Sequence, residues 1–279
     1  MKQLALLLLA TLFVLAACGR SPVSTPQATQ PVAEEPTATQ LPTEEPTATQ
    51  AVQGVTLTYE DNAQVELVTP TGRHIYIDVA NPRSLTRDPS VDDILLTTHL
   101  HNDHYYPVFQ EAFPGQQLFT SEGKIELPDV TITGIASAHN SADPIQAEKA
   151  TDYIYIIDVA GLRIVHFGDI GQDTLAPEQL ATIGTVDLAI TQFANSFSNM
   201  NATNLKGFNL MDQVKPRLII PTHSDNATIQ IAAQRWPGYY SDSPTVTLSA
   251  GNIPSETSIL VLGILAKAYG KLYKLTLWK

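Results

Sequence analysis

Thr98-His99-Leu100-His101-Asn102-Asp103-His104, written T-H-L-H-N-D-H, follows directly on the apolar run Ile94-Leu95-Leu96. Four side chains able to ligate a metal, His99, His101, Asp103 and His104, fall within six residues at the end of what reads as a buried strand. A strand sends alternate side chains to one face, so His99 and His101 point the same way, while Asp103 and His104 follow as the chain turns back. Imidazole and carboxylate donors together suit zinc and similar divalent ions.

Outward from this stretch, the preceding segment reads as three antiparallel strands, Val55–Tyr59, Val65–Thr69 and His74–Val79, separated by D-N and P-T-G turns. Asp78 ends the third, and Asp92–Thr98 is the strand that delivers the histidines. Downstream, Tyr105–Phe113 reads as a short helix or loop, Gln117–Thr120 as a strand, and Val130–Ala138 as an alternating strand that ends at His139. Tyr153–Val159 and Arg163–Phe167 form a hairpin running into H-F-G-D, His166 to Asp169. Pro177–Ile183 is a short helix, Val186–Thr191 a buried strand, and Asn209–Val214 completes a helix after an Asn-rich stretch. The strand R-L-I-I-P-T-H then ends at His223, and Thr245–Leu248 and Ile259–Leu262 are further strands.

The H-x-H-x-D-H string resembles the signature of the metallo-β-lactamase superfamily of metal-dependent hydrolases, and H, G-D and P-T-H follow in the order that superfamily uses. The resemblance implies an α/β fold, a four-layer αββα sandwich with its ligands on loops at one edge. It implies that His99, His101 and His139 hold one metal, that Asp103, His104 and His223 hold a second, and that Asp169 bridges them. Five of the chain's seven histidines fall at these positions, leaving His74 and His166, the latter expected in the core or behind the ligands. Two zinc ions are the expected cofactors. The implied chemistry is hydrolysis by a metal-bound hydroxide, with Asp103 orienting it and passing a proton to the leaving group.

The motif order looks most like the ascorbate-phosphate lactonase-like branch, but Tyr59-Glu60-Asp61-Asn62-Ala63 stands where that branch has a histidine-containing turn. Tyr105 and Tyr106 also follow His104 where smaller residues are usual. Both departures lie near the expected substrate side, so that branch's substrate does not carry over. Tyr105, Tyr106, Asn195, Asn199 and Lys206 are candidates to line the pocket, Lys206 as a cation for a substrate carboxylate or phosphate.

The chain ends add an expected location. Residues 1–18 read as a signal segment: Lys2, then an uncharged apolar run Leu4–Leu15, too short for the roughly 20 residues of a membrane span. It closes in Leu15-Ala16-Ala17-Cys18, which resembles a bacterial lipobox with Cys18, the only cysteine, as the lipid attachment site. Residues 19–53, rich in Pro, Thr and Glu, repeat E-E-P-T-A-T-Q at Glu34–Gln40 and Glu44–Gln50 and read as a tether. Residues 54–279 are the expected hydrolase domain. Lys267, Lys271, Lys274 and Lys279 lie among Leu, Tyr and Trp, either in a last strand or helix with solvated lysines or in a patch that touches anionic headgroups near the tether.

A net charge of −12 over 279 residues argues against a nucleic-acid partner, which needs a basic surface to release counterions. The expected protein is therefore a lipid-anchored extracytoplasmic hydrolase of a small molecule: an ester, lactone, amide or phosphodiester. Two alternatives stand beside it, a metal-containing surface binding module without turnover and a membrane-associated lipid phosphodiesterase. Oligomeric state is not legible.

Overall fold

The computed structural model describes residues 54–270 and 275–278. The signal segment with Cys18, the tether, Lys271, Lys274 and Lys279 lie outside the described residues. In chain order the first strands are β1 (Val55–Tyr59), β2 (Val65–Val68), β3 (His74–Ile77), β4 (Ile94–Thr97) and β5 (Gln116–Phe119). Next come β6 (Gly123–Leu127), β7 (Val130–Ser137), β8 (Asp152–Val159), β9 (Leu162–His166), β10 (Leu188–Thr191) and β11 (Leu218–Pro221). The last are β12 (Gly238–Ser241), β13 (Thr245–Leu248), β14 (Ser258–Leu262) and β15 (Thr276–Leu277). The main helices are α1 (Pro107–Ala112), α2 (Pro177–Ile183), α3 (Lys206–Val214) and α4 (Asn226–Arg235). Pro sits in the first turn of α1 and α2, where its missing N–H costs nothing, and Asp225 caps α4 by accepting from Thr228 N at 2.8 Å.

The strands form two sheets, one ordered β13-β1-β2-β3-β4-β5 and the other β15-β12-β14-β11-β10-β9-β8-β7-β6. Their side chains explain why the sheets stack. Ile75 and Ile77 of β3, Ile94 and Leu96 of β4, Leu162 and Ile164 of β9, and Leu218 and Ile220 of β11 all enter one core between the sheets. The residues between them face the other way. Val165, Ala189 and Ile219 meet Ile183 of α2, Phe208 and Met211 of α3, and Ile229 of α4. On the opposite outer face, Tyr76 and Leu95 meet Phe109 and Phe113 beside α1. Strands apolar on both faces must be covered on both, so the chain builds helix, sheet, sheet, helix. This is the α/β four-layer sandwich expected from the sequence.

Strand direction then gathers the loops. β7 and β9 both run antiparallel to β8, and β9, β10 and β11 are mutually parallel, so β7, β9 and β11 end at the same edge. His139, Asp169 and His223 come two or three residues past those ends. In the first sheet β3 and β4 are parallel, and Asp78 and His99 follow them.

Candidate metal centre

Seven donors converge at that edge. His99, His101, His139 and Asp169 form one group and Asp103, His104 and His223 another, the ligating atoms of each lying within 4.8 Å of one another. Asp169 joins the two groups. Its Oδ2 is 3.7 Å from His99 Nε2, 3.7 Å from His139 Nε2 and 3.2 Å from His104 Nε2, and its Oδ1 is 3.5 Å from His223 Nε2. The local route differs from simple strand alternation. β4 ends at Thr97, and His99 to His104 lie in a turn closed by His104 N donating to His101 O at 2.9 Å. His101 presents Nδ1, 3.0 Å from His99 Nε2.

The hydrogen-bond network assigns the tautomers. Asp78, fully buried with φ +52°, accepts from Thr98 N and Thr98 Oγ1, each at 2.8 Å, and from His104 Nδ1 at 2.9 Å. Because Thr98 Oγ1 gives its hydrogen to Asp78, it accepts from His99 Nδ1 at 3.0 Å. Ser198 Oγ likewise donates to Asp169 O at 2.8 Å and lies 3.5 Å from His139 Nδ1. Each ring thus spends Nδ1–H on a fixed partner and turns Nε2 toward the cluster.

Beneath the cluster, buried Asp152 accepts from Ser137 Oγ at 2.6 Å and from Asp169 N at 3.1 Å. Gly168 has φ +54°, and a Cβ there would lie 2.3 Å from Asp152 Oδ1, so only glycine fits the G-D turn that presents Asp169. At Gly171 a Cβ would meet His139 O at 2.0 Å, which is how closely the two ligand loops approach.

These residues fit a cation. His139 Nε2 and Asp169 Oδ1 are buried polar atoms with no hydrogen-bond partner, a costly arrangement unless something positive sits among them. His104 Nε2 and His223 Nε2 face each other at 3.2 Å. Burial opposes ionisation of Asp169, yet the imidazoles of His104 and His139 outweigh it and hold its carboxyl well below the usual range. Burial likewise works against a charged His104, but Asp78 and Asp169 raise it well above an ordinary histidine, and His139 is raised in the same sense by Asp169 and Asp152. Burial keeps His101 and His223 below the ordinary value and so neutral donors. A metal held by these rings would have to displace the protons of His104 and His139, so its affinity would rise with pH.

The sequence profile of the beta-lactamase superfamily domain matches residues 56–223, more than half of the chain and every donor named above. The chain belongs to the metallo-β-lactamase superfamily. Among solved structures, a candidate Zn-dependent hydrolase of this superfamily from Thermotoga maritima superposes with a TM-score of 0.56. It is 18% identical, and the match covers 75% of this chain and 98% of that one. A candidate metal-dependent hydrolase from Parabacteroides distasonis is 19% identical with a TM-score of 0.48, over 62% of this chain and 83% of that one. At these identities the likeness is one of fold. No curated protein sequence matches the chain.

Not every residue expected in the pocket of this metallo-β-lactamase fold is placed to serve there. Lys206 is a correction. Its Nζ is buried and donates to Ser141 Oγ at 2.7 Å and Gly171 O at 3.1 Å, with Asp173 Oδ1 at 3.2 Å. It ties the two ligand loops together and is not free to hold a substrate anion. Tyr105 packs on Phe119, ring centroids 5.5 Å apart, and Tyr106 stands at the start of α1. Asn195 is committed to the Asp169 carboxylate, donating to its Oδ2 at 2.6 Å. Asn199, with φ +48°, lines a hollow of about 500 Å³ with Ser224 and Asp225. His166 is a core histidine, its Nε2 3.2 Å from Ala63 O and its Nδ1 accepting from Gly168 N at 3.2 Å. Sequence reasoning missed the orienting role of Asp78 and the place of Phe197, whose ring lies 5.6 Å from that of His101.

Proposed function

We propose that the protein is a dinuclear metal-dependent hydrolase, with zinc as its metal, acting on an ester, lactone, amide or phosphodiester. What carries this reading is the meeting of two donor groups at the Asp169 carboxylate, where two buried donor atoms have no hydrogen-bond partner. We assign His99, His101 and His139 to one ion, Asp103, His104 and His223 to the other, and Asp169 to both. When bound, such ions supply Lewis acidity and make water reactive near neutral pH.

The chain's own residues supply the rest. Asp103 is one of the more open members of the donor set, its side chain 41% accessible and its Oδ2 3.7 Å from His223 Nε2. From there it takes a proton from the attacking water and returns it to the leaving atom of the substrate. Asp78, Thr98 and Ser198 hold three imidazoles in a single tautomer, and Asn195 steadies Asp169, so the donors need no rearrangement as charge develops. Water is the nucleophile, and this mechanism uses no serine or cysteine.

The test is turnover of a panel of chromogenic esters, lactones, β-lactams and phosphodiesters by the full chain, before and after chelation. Hydrolysis of one class, lost on chelation and restored by zinc, is the expected result; turnover that survives complete removal of metal contradicts it. We also propose that Cys18 carries a lipid and holds the enzyme on the extracytoplasmic face of a membrane, for which the L-A-A-C string is the support. Cys18→Ala then abolishes lipid labelling and releases the protein from the membrane fraction, whereas unchanged labelling refutes the anchor.

A further inference from the structure

Two exposed apolar side chains from distant parts of the chain border the same two hollows beside the donor cluster. Leu100 is 55% exposed and Phe197 72%, and single exposed apolar residues are ordinary on any protein surface. These two are different in their placement. Leu100 sits between His99 and His101, Phe197 rises from the loop that also carries Asn195 and Ser198, and the Phe197 ring stands over the ring of His101. Both residues border the hollow of about 380 Å³ beside His99, His101 and His139, and both border a second hollow of about 610 Å³ beside His101 and Asp103. In both hollows Leu100 and Phe197 therefore flank His101.

The polar residues of those hollows complete the picture. Asn140, Asp143 and Thr151 line the first, and Asn62, Asn81, Asn102 and Asp103 the second. Among the described residues, none lining either hollow is Lys or Arg, and Lys206 is already taken up by Ser141, Gly171 and Asp173. A carboxylate or phosphate handle on the substrate would therefore face amides and carboxylates with no cationic side chain to hold it. An uncharged, hydrogen-bonding portion is served well by the asparagines.

We infer that the substrate is an uncharged ester or lactone with an apolar acyl group, and that Phe197 and Leu100 determine specificity by seating that group beside His101. This rests on the hydrolase reading above. In the reaction, water adds across the acyl–oxygen bond, which breaks to leave a carboxylic acid and an alcohol.

The test is a series of neutral p-nitrophenyl esters from acetate to hexanoate, given to the metal-loaded full chain, with a matched ester bearing a terminal carboxylate. The kcat/KM rises about threefold per methylene, mainly through KM, and the charged ester lags its neutral counterpart. Phe197→Ser and Leu100→Ser, at exposed positions that do not threaten folding, flatten this dependence while metal content stays at the wild-type level. Hydrolysis with no dependence on chain length, or with preference for the charged ester, overturns the inference and leaves the hydrolase standing.

If no ester, lactone, β-lactam or phosphodiester is turned over, the hydrolase reading fails and binding decides the inference. Neutral n-alkyl acetamides are then titrated against the same protein and its variants, with the heat of binding as the readout. Kd tightening with each methylene, lost in Phe197→Ser, upholds the apolar seat, and equal Kd along the series overturns it.

Discussion

Asp169→Ala is expected to empty both metal positions and abolish hydrolysis together. The carboxylate lies within reach of His99, His104, His139 and His223, so its loss leaves each half-site short of a donor. Removing a group that merely orients a ligand costs about 10–100-fold in metal affinity or activity, and removing a shared ligand exceeds that range. The replacement also fits sterically, since alanine is smaller and the turn that needs glycine is at Gly168. The measurement is bound metal and kcat on the same purified sample. A variant that keeps its metal and its rate contradicts the bridging assignment.

Asp78→Asn tests the layer behind the ligands. Asparagine keeps the size of the side chain and can still accept from Thr98 N through its carbonyl oxygen. It puts an NH₂ where His104 Nδ1 now donates to a carboxylate at 2.9 Å. To accept from that amide, His104 must move its hydrogen to Nε2, the nitrogen that faces His223 and Asp169. The expected outcome is an affinity loss of about 10–100-fold at the position assigned to Asp103, His104 and His223, with a matching drop in kcat. Thr98 Oγ1 loses the same acceptor, so His99 and the other half-site are weakened too, but by less than the site of His104. Competition with a chromogenic chelator separates the two affinities, and equal affinities in variant and wild type remove Asp78 from this role.

The contrast between these two residues shows what can be read from a linear chain. Asp169 is announced locally, by a glycine before it and a buried strand before that. Asp78 also follows a buried strand, but its importance comes from His104, 26 residues later, and from a left-handed backbone turn that no spacing reveals. Asp152 is harder still: it opens β8 like any polar strand-end residue, yet it is fully buried beneath the cluster. Lys206 misleads for the same reason, because Ser141, Gly171 and Asp173, which take up its charge, lie on other loops.

The fold divides along similar lines. Strands buried on both faces, such as β4, β8, β10 and β11, carry enough apolar residues to be recognised and located within one or two residues. β6 places only Ile125 in the core, and α4 buries only Thr228, Ile229 and Ala232. Both are mostly solvated, so their patterns merge into the polar loops around them. The strand β12, G-Y-Y-S, is half-buried throughout and offers no alternation to detect. Phe197 is one apolar residue in an Asn- and Ser-rich loop, and only the folded chain shows that it stands over His101.

The most direct measurement is elemental analysis of the purified full chain, stripped by chelation and reloaded, beside Asp169→Ala treated identically. Two adjoining donor groups sharing one carboxylate predict about two divalent ions per wild-type chain and their loss in the variant. Wild-type protein that takes up no more metal than Asp169→Ala contradicts the account at its centre.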